Sequence, residues 1–147
     1  MMENEDRVLT DDELAEMTEE DIINRLLEPT DVPERIYAID RLGIQVTLKG
    51  LSEREIQRLR KECTTESKVR GQRVKELNET EFNAALIEKA TIKPNWSDKR
   101  LLSAHNLSSG REFIRRKLLA GELLALGDRV MELSGFDDEL EEVEIKN

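Results

Sequence analysis

Residues 119–136 read LAGELLALGDRVMELSGF, and this stretch decides the fold. Leu119, Leu123, Leu126, Val130 and Leu133 follow one another at spacings of 4, 3, 4 and 3. That period lays an apolar stripe along one side of an α-helix. Gly135 stands where a left-handed C-cap would end it. Ile114 and Leu118 carry the apolar face backwards, and Phe82, Leu86 and Trp96 are large groups for it to pack against. Such a stripe has to be buried, within the chain or on a partner.

Outward from this stretch, the chain changes period. Tyr37 and Ile39, then Ile44, Val46 and Leu48, alternate with more polar neighbours, which predicts a β-hairpin turned at Gly43. Ser52 with Glu55 forms a capping box, and Leu51 with Ile56 a hydrophobic staple, at the start of a helix lined by Ile56, Leu59 and Cys63. Residues 64–76 offer only Val69 and Val74 for burial, so the expectation there is a long loop or an exposed helical extension. Asn78 or Thr80 caps the next helix, in which Ala84, Ala85 and Ala90 permit close approach by another helix. It ends before Pro94, because the residue preceding a proline resists the helical region. Ser97-Asp98 restarts a short helix, and Asn106 to Ser109 is a polar turn. At Ala120-Gly121-Glu122 the expectation is a kink or a tight interhelical turn. The fold class predicted is α+β, mainly helical, with one N-terminal β-hairpin packed against about five helices. Three or more further strands after residue 50 would count against that architecture.

The domain expected from these patterns spans residues 32–136. Before it, residues 1–31 form an acidic segment with a disordered start, weak helix starts at Thr10/Glu13 and Thr18/Asp21, and a short helix over about 19–28 stopped by Pro29. After it, residues 137–147 form an acidic tail. Charge follows the same division. Residues 1–31 hold twelve acids against Arg7 and Arg25, and residues 132–147 hold seven against Lys146. The body between carries an excess of bases, although the whole chain stands at −10.

Several function classes lose their support at this level. One histidine, His105, and one cysteine, Cys63, make neither a disulfide nor a spaced metal set, and Cys63 completes an apolar stripe. No glycine-rich phosphate loop is present, and the acidic pairs fall in segments least suited to a rigid site. Arg54, Arg58 and Lys61, and Arg111 with Arg115 to Lys117, have phosphate-tracking spacing. Acids interleave with them, however, and no aromatic platform accompanies them, so no nucleic acid is expected as a partner. No stretch reads as a membrane span or a signal peptide, so no membrane partner is expected and the predicted location is cytoplasmic. The chain reads as non-enzymatic, without cofactor or metal.

An ordered set of short motifs carries a resemblance. Val32-Pro33-Glu34-Arg35 leads into Arg41-Leu42-Gly43; Phe82 to Ile87 precedes Lys93-Pro94-Asn95-Trp96; then come Lys117 to Glu122 and Glu132 to Phe136. In this order the chain resembles the XkdN-like tail assembly chaperones of long-tailed phages and prophage-like elements of Gram-positive bacteria. Ala120 stands where that pattern would carry a proline before Gly121. The resemblance implies a non-enzymatic protein of the host cytoplasm that coats the helical tape-measure protein before the tail tube polymerises, and that is absent from the mature virion. It also implies a longer, frameshifted form of the chain and the tail tube protein as further partners. Self-association stays open, as does the alternative of a small structural or scaffolding protein retained in the tail.

The partner-binding residues expected are Phe113, Leu123, Leu124 and Phe136. Leu123-Leu124 follows closely on Leu118-Leu119, so the apolar arc is wider than one intramolecular contact needs. Leu124 and Phe136 fall off the stripe and are the more exposed pair; the alternative is that all four are core.

Overall fold

The computed structural model of the chain describes residues 17–136, 140 and 142–144. Among them, six helices and five strands follow in the order α1 (Glu19–Leu27), β1 (Glu34–Ile39), β2 (Ile44–Lys49), α2 (Glu53–Glu62), β3 (Thr64–Val69), β4 (Gln72–Leu77), α3 (Glu79–Ala90), β5 (Thr91–Lys93), α4 (Lys99–His105), α5 (Gly110–Lys117) and α6 (Ala120–Leu133). The compact unit Val32–Asp138 holds every element except α1, which belongs to a second unit. The expected cap at Thr10/Glu13, the expected disordered start and most of the acidic tail lie outside the described residues.

Helix α1 starts at the Thr18/Asp21 box. The Asp21 N–H donates to Thr18 Oγ1 at 3.2 Å, and the Thr18 N–H donates back to Asp21 Oδ2 at 3.3 Å. No residue of this helix is buried.

The α+β, mainly helical class holds, but the strand count does not. β1 and β2 pair antiparallel with Tyr37 opposite Val46 and Ile39 opposite Ile44, turned through Gly43 at φ 63°. Ile39, Val46 and Leu48 are buried beneath the helices, whereas Ile44, expected inward, is exposed beside the turn. Three strands follow residue 50, the number set against a hairpin-only sheet, yet the N-terminal hairpin packs against the helices as expected. β5 joins the free side of β2 and completes a three-stranded sheet, order β1-β2-β5. Lys93, the residue before Pro94, is disfavoured in helical geometry and is the last residue of β5.

Residues 64–76 are neither a loop nor a helical extension. β3 and β4 form a separate two-stranded ribbon, turned at Arg70 (φ 53°) and Gly71 (φ 81°). Two consecutive positive φ values match the twist of a two-residue hairpin. Neither face is covered, so the ribbon has no apolar alternation by which to announce itself.

The core lies between the three-stranded sheet and α2, α3, α5 and α6. Phe82, Ala84, Ala85, Leu86, Ile87 and Ala90 on α3 are all buried, and α3 packs on both α5 and α6. Trp96 is buried too; its Nε1–H donates to Thr91 Oγ1 at 3.0 Å, and that hydroxyl donates to the Ile87 carbonyl at 2.5 Å. Each large apolar group buried here is worth about 1.5–3 kcal/mol. Among the described residues no helix is long and apolar enough to cross a membrane.

Candidate partner-binding surface

Helix α6 is placed by its two ends. At its start, the chain breaks at Leu118-Leu119, just before the Ala120-Gly121 step where the sequence suggested it. Leu118 is buried, whereas Leu119 lies outside the helix and is 56% exposed, so the buried stripe begins at Leu123. The Leu119 N–H donates to Glu122 Oε1 at 2.8 Å. Arg41, from the β1–β2 turn, grips the same carboxylate through Nε at 3.0 Å and Nη2 at 2.7 Å. Arg41 first, then the Leu119 N–H, holds the Glu122 carboxyl below the usual range.

The far end is a Schellman turn. The Gly135 N–H donates to the Glu132 carbonyl at 3.0 Å and the Phe136 N–H to the Met131 carbonyl at 3.2 Å, with Gly135 at φ 92°. This end is fastened to the β2–α2 junction. Ser134 Oγ accepts from the Leu51 N–H at 2.9 Å and donates to the Val130 carbonyl at 2.7 Å. Gly50 lies so close to the Leu133 carbonyl that a side chain there would overlap it. Phe136 is thereby held beside Leu51, Glu53 and Ile56, at the edge of a shallow cleft of 230 Å³.

Of the four expected residues, Phe113 and Leu123 are core, each only 6% exposed. Phe113 sits against Trp96, with ring centroids 6.2 Å apart, and Leu123 shares the buried side of α6 with Leu126 and Val130. Leu124 and Phe136 are 57% and 61% exposed. The fold adds Met131, half-buried and seven residues from Leu124 on the same flank of α6. At 1.5 Å per residue the two are about 10 Å apart along the axis. Leu124 and Met131 thus share one flank of α6 beside the buried stripe, with the exposed Asp128 between them, and Phe136 follows beyond the helix end. The i, i+7 spacing from Leu124 is the signal for Met131, which lies outside the inward-facing stripe.

A larger cleft, 590 Å³, lies between α2 and the Thr91–Ser97 segment, with Arg111 in its wall. Its charges are largely satisfied by one another. Arg111 lies 3.2 Å from Glu62, 3.6 Å from Glu88 and 3.9 Å from Glu81, while Arg115 reaches Glu81 at 2.8 Å and Lys89 lies 3.9 Å from Glu55. These pairs tie α5 to α2 and α3 and take Arg111 and Arg115 away from any phosphate track. Cys63 is buried, and burial pushes its thiol up, away from the reactive thiolate. Among the described residues no group of three or more His, Cys, Asp or Glu side chains could hold a metal ion.

A family model of phage XkdN-like tail assembly chaperone proteins matches residues 23–146. The chain belongs to that family. The uncharacterised protein YqbN of Bacillus subtilis (strain 168) is 33% identical over 121 residues, covering 80% of this chain and 81% of its own. XkdN, a protein of the phage-like element PBSX in the same organism, is also 33% identical over 121 residues, covering 80% and 82%. The crystal structure of the protein YqbN matches with a TM-score of 0.55 at 23% identity, over 75% of this chain and 91% of that one, a likeness of fold. Within this XkdN-like family the chain is a tail assembly chaperone, a non-enzymatic role.

Proposed function

We propose that this XkdN-like chaperone binds the tape-measure protein transiently in the bacterial cytoplasm, before the tail tube polymerises, and is absent from the mature virion. A longer frameshifted form of the chain and the tail tube protein are further partners in this reading. One observation carries it: α6 commits one side to the core while Leu124 on its adjoining flank and Phe136 just past its end stay exposed, with Met131 half-buried between them in sequence. Exposed apolar groups of this kind suit an amphipathic helix laid against them, with affinity resting on a few anchors. The test is co-expression with the tape-measure protein, co-purification, and mass spectrometry of finished tails. Capture of the tape-measure protein with absence from tails is the expected result. Stoichiometric recovery in tails would instead make the chain a retained structural component.

A further inference from the structure

The ribbon and α2 build a surface that the holding role does not use. In register, Lys68 faces Arg73 and Glu66 faces Lys75, so these four residues share one face of the ribbon. Where that face meets the last turn of α2, a cleft of 410 Å³ is lined by Gln57, Arg60, Lys61, Thr64, Glu66 and Lys75. Three of its lining residues, Arg60, Lys61 and Lys75, are long aliphatic stems tipped with cations, beside one acid, Glu66. Arg60 lies over the Phe82 ring at 4.8 Å, and Glu66 approaches Arg73 only at 3.9 Å. Among the described residues Lys61, Lys68 and Lys75 have no carboxylate within salt-bridge distance.

Helix α1 has the complementary chemistry. Ile22, Ile23, Leu26 and Leu27 are all exposed and fall within one arc of the helix. Glu19 heads that arc and Glu20 borders it, while Asp21 is engaged in the cap. Seven further acids precede them in residues 1–16, against Arg7 alone. A nine-residue helix is too short to be stable alone in water and needs a surface to lie on.

We propose that the apolar, acidic face of α1 from one copy docks into the basic cleft between α2 and the β3–β4 ribbon of a second copy. Its Ile and Leu side chains cover the aliphatic stems, and Glu19 and Glu20 meet Lys61 and Lys75. Helix and cleft are different patches, so the contact runs head to tail and leaves one of each unfilled at the ends of an open chain of copies.

The test uses the full 147-residue chain without any client. Sedimentation equilibrium at low salt is expected to show association that grows with concentration and weakens with added salt. Lys61→Glu with Lys75→Glu, or Glu19→Lys with Glu20→Lys, weakens it at least about tenfold, as like charges then face each other. Mixing these two variants restores it, because each reversed helix then finds a reversed cleft and each native helix a native one. That rescue separates the contact from a folding defect in either variant. A wild-type chain that stays monomeric at all concentrations overturns the proposal, as does association unchanged in both variants. Failure of the mixture to restore association by folded variants does the same. So does a cleft that binds random duplex DNA in a Lys61- and Lys75-dependent way without any self-association.

Discussion

Arg41 and Glu122, 81 residues apart, form a two-pronged ion pair that joins the β1–β2 turn to the first turn of α6. The same Arg41 Nη2 donates to the Lys117 carbonyl at 3.0 Å, at the end of α5. One side chain therefore holds both sides of the interhelical break, while Glu122 also caps the Leu119 N–H. This ties the sheet to the helix that carries the candidate holding surface.

Replacing Arg41 and Glu122 by Gln, singly and together, should give non-additive losses. The double variant should lose less than the sum of the single ones, since either change alone already breaks the pair. Urea melts of the four proteins at neutral pH measure the coupling, and strict additivity would show that the pair holds nothing.

Acid should weaken the fold through carboxylates held in charged form. Asp98 is pulled down to about 2 by the Arg100 side chain and N–H, and Glu55, Glu112 and Glu122 also lie below their ordinary range through hydrogen bonds at Ser52, at Ser108 and from Arg41. A folded-state value below the unfolded one gives stability that is fully present above the unfolded value, about 4 for carboxylates, and lost as pH falls through the folded one. Melting temperature should therefore be level from neutral pH to about pH 5 and fall below that. Glu122→Gln should make that fall shallower.

The two sides of α6 should respond differently to truncation. Leu126→Ala removes a buried group and should cost about 2–5 kcal/mol by denaturant melting. Leu124→Ser should change stability by no more than about 0.5 kcal/mol, as expected at an exposed position.

The fastening of α6 to the β2–α2 junction is open to test at two positions. A Gly50→Ala side chain meets the Leu133 backbone carbonyl, and the forced shift should cost about 1–3 kcal/mol. Ser134→Ala removes the acceptor of the half-buried Leu51 N–H and should cost about 1–3 kcal/mol. Both are read from melting curves.

Under the proposed function, Leu124→Ser and Phe136→Ser should lose co-purifying tape-measure protein while melting like the parent chain. Normal retention by folded variants would remove the flank of α6 from consideration.

Strong periodicities and caps were legible in the sequence, and weak two-residue or two-sided patterns were not. The boxes at Thr18/Asp21 and Ser52/Glu55, and the Asn78 cap, stand where the residue types placed them. The buried run Leu123, Leu126, Val130 followed from its spacing alone, but Leu119 did not belong to it, because the chain leaves helical geometry there to begin α6. The β3–β4 ribbon is not legible in the sequence, since a strand exposed on both faces has no reason to alternate. β5 is not legible either, because three residues carry no period. At the candidate site, the spacing set Leu124 and Phe136 off the stripe as the more exposed pair, which they are, but it did not remove Phe113 and Leu123 from the surface. Only packing assigns those two to the core, since a broad apolar arc reads the same whether a neighbour covers half of it or all.

Pro33 and Ser134 lie at opposite ends of the sequence of the compact body, yet both are hydrogen-bonded to one dipeptide. The Gly50 N–H donates to the Pro33 carbonyl at 2.9 Å, and the Leu51 N–H to Ser134 Oγ, also at 2.9 Å. Topologically the body is a loop cinched at its neck. A short covalent bridge from Val32 to Phe136 would close it into a ring, and the tip of the β3–β4 ribbon at Arg70-Gly71 offers a place to reopen it. Mechanically, a pull on either terminal segment arrives at this one knot of two hydrogen bonds, so the body is handled from a single corner.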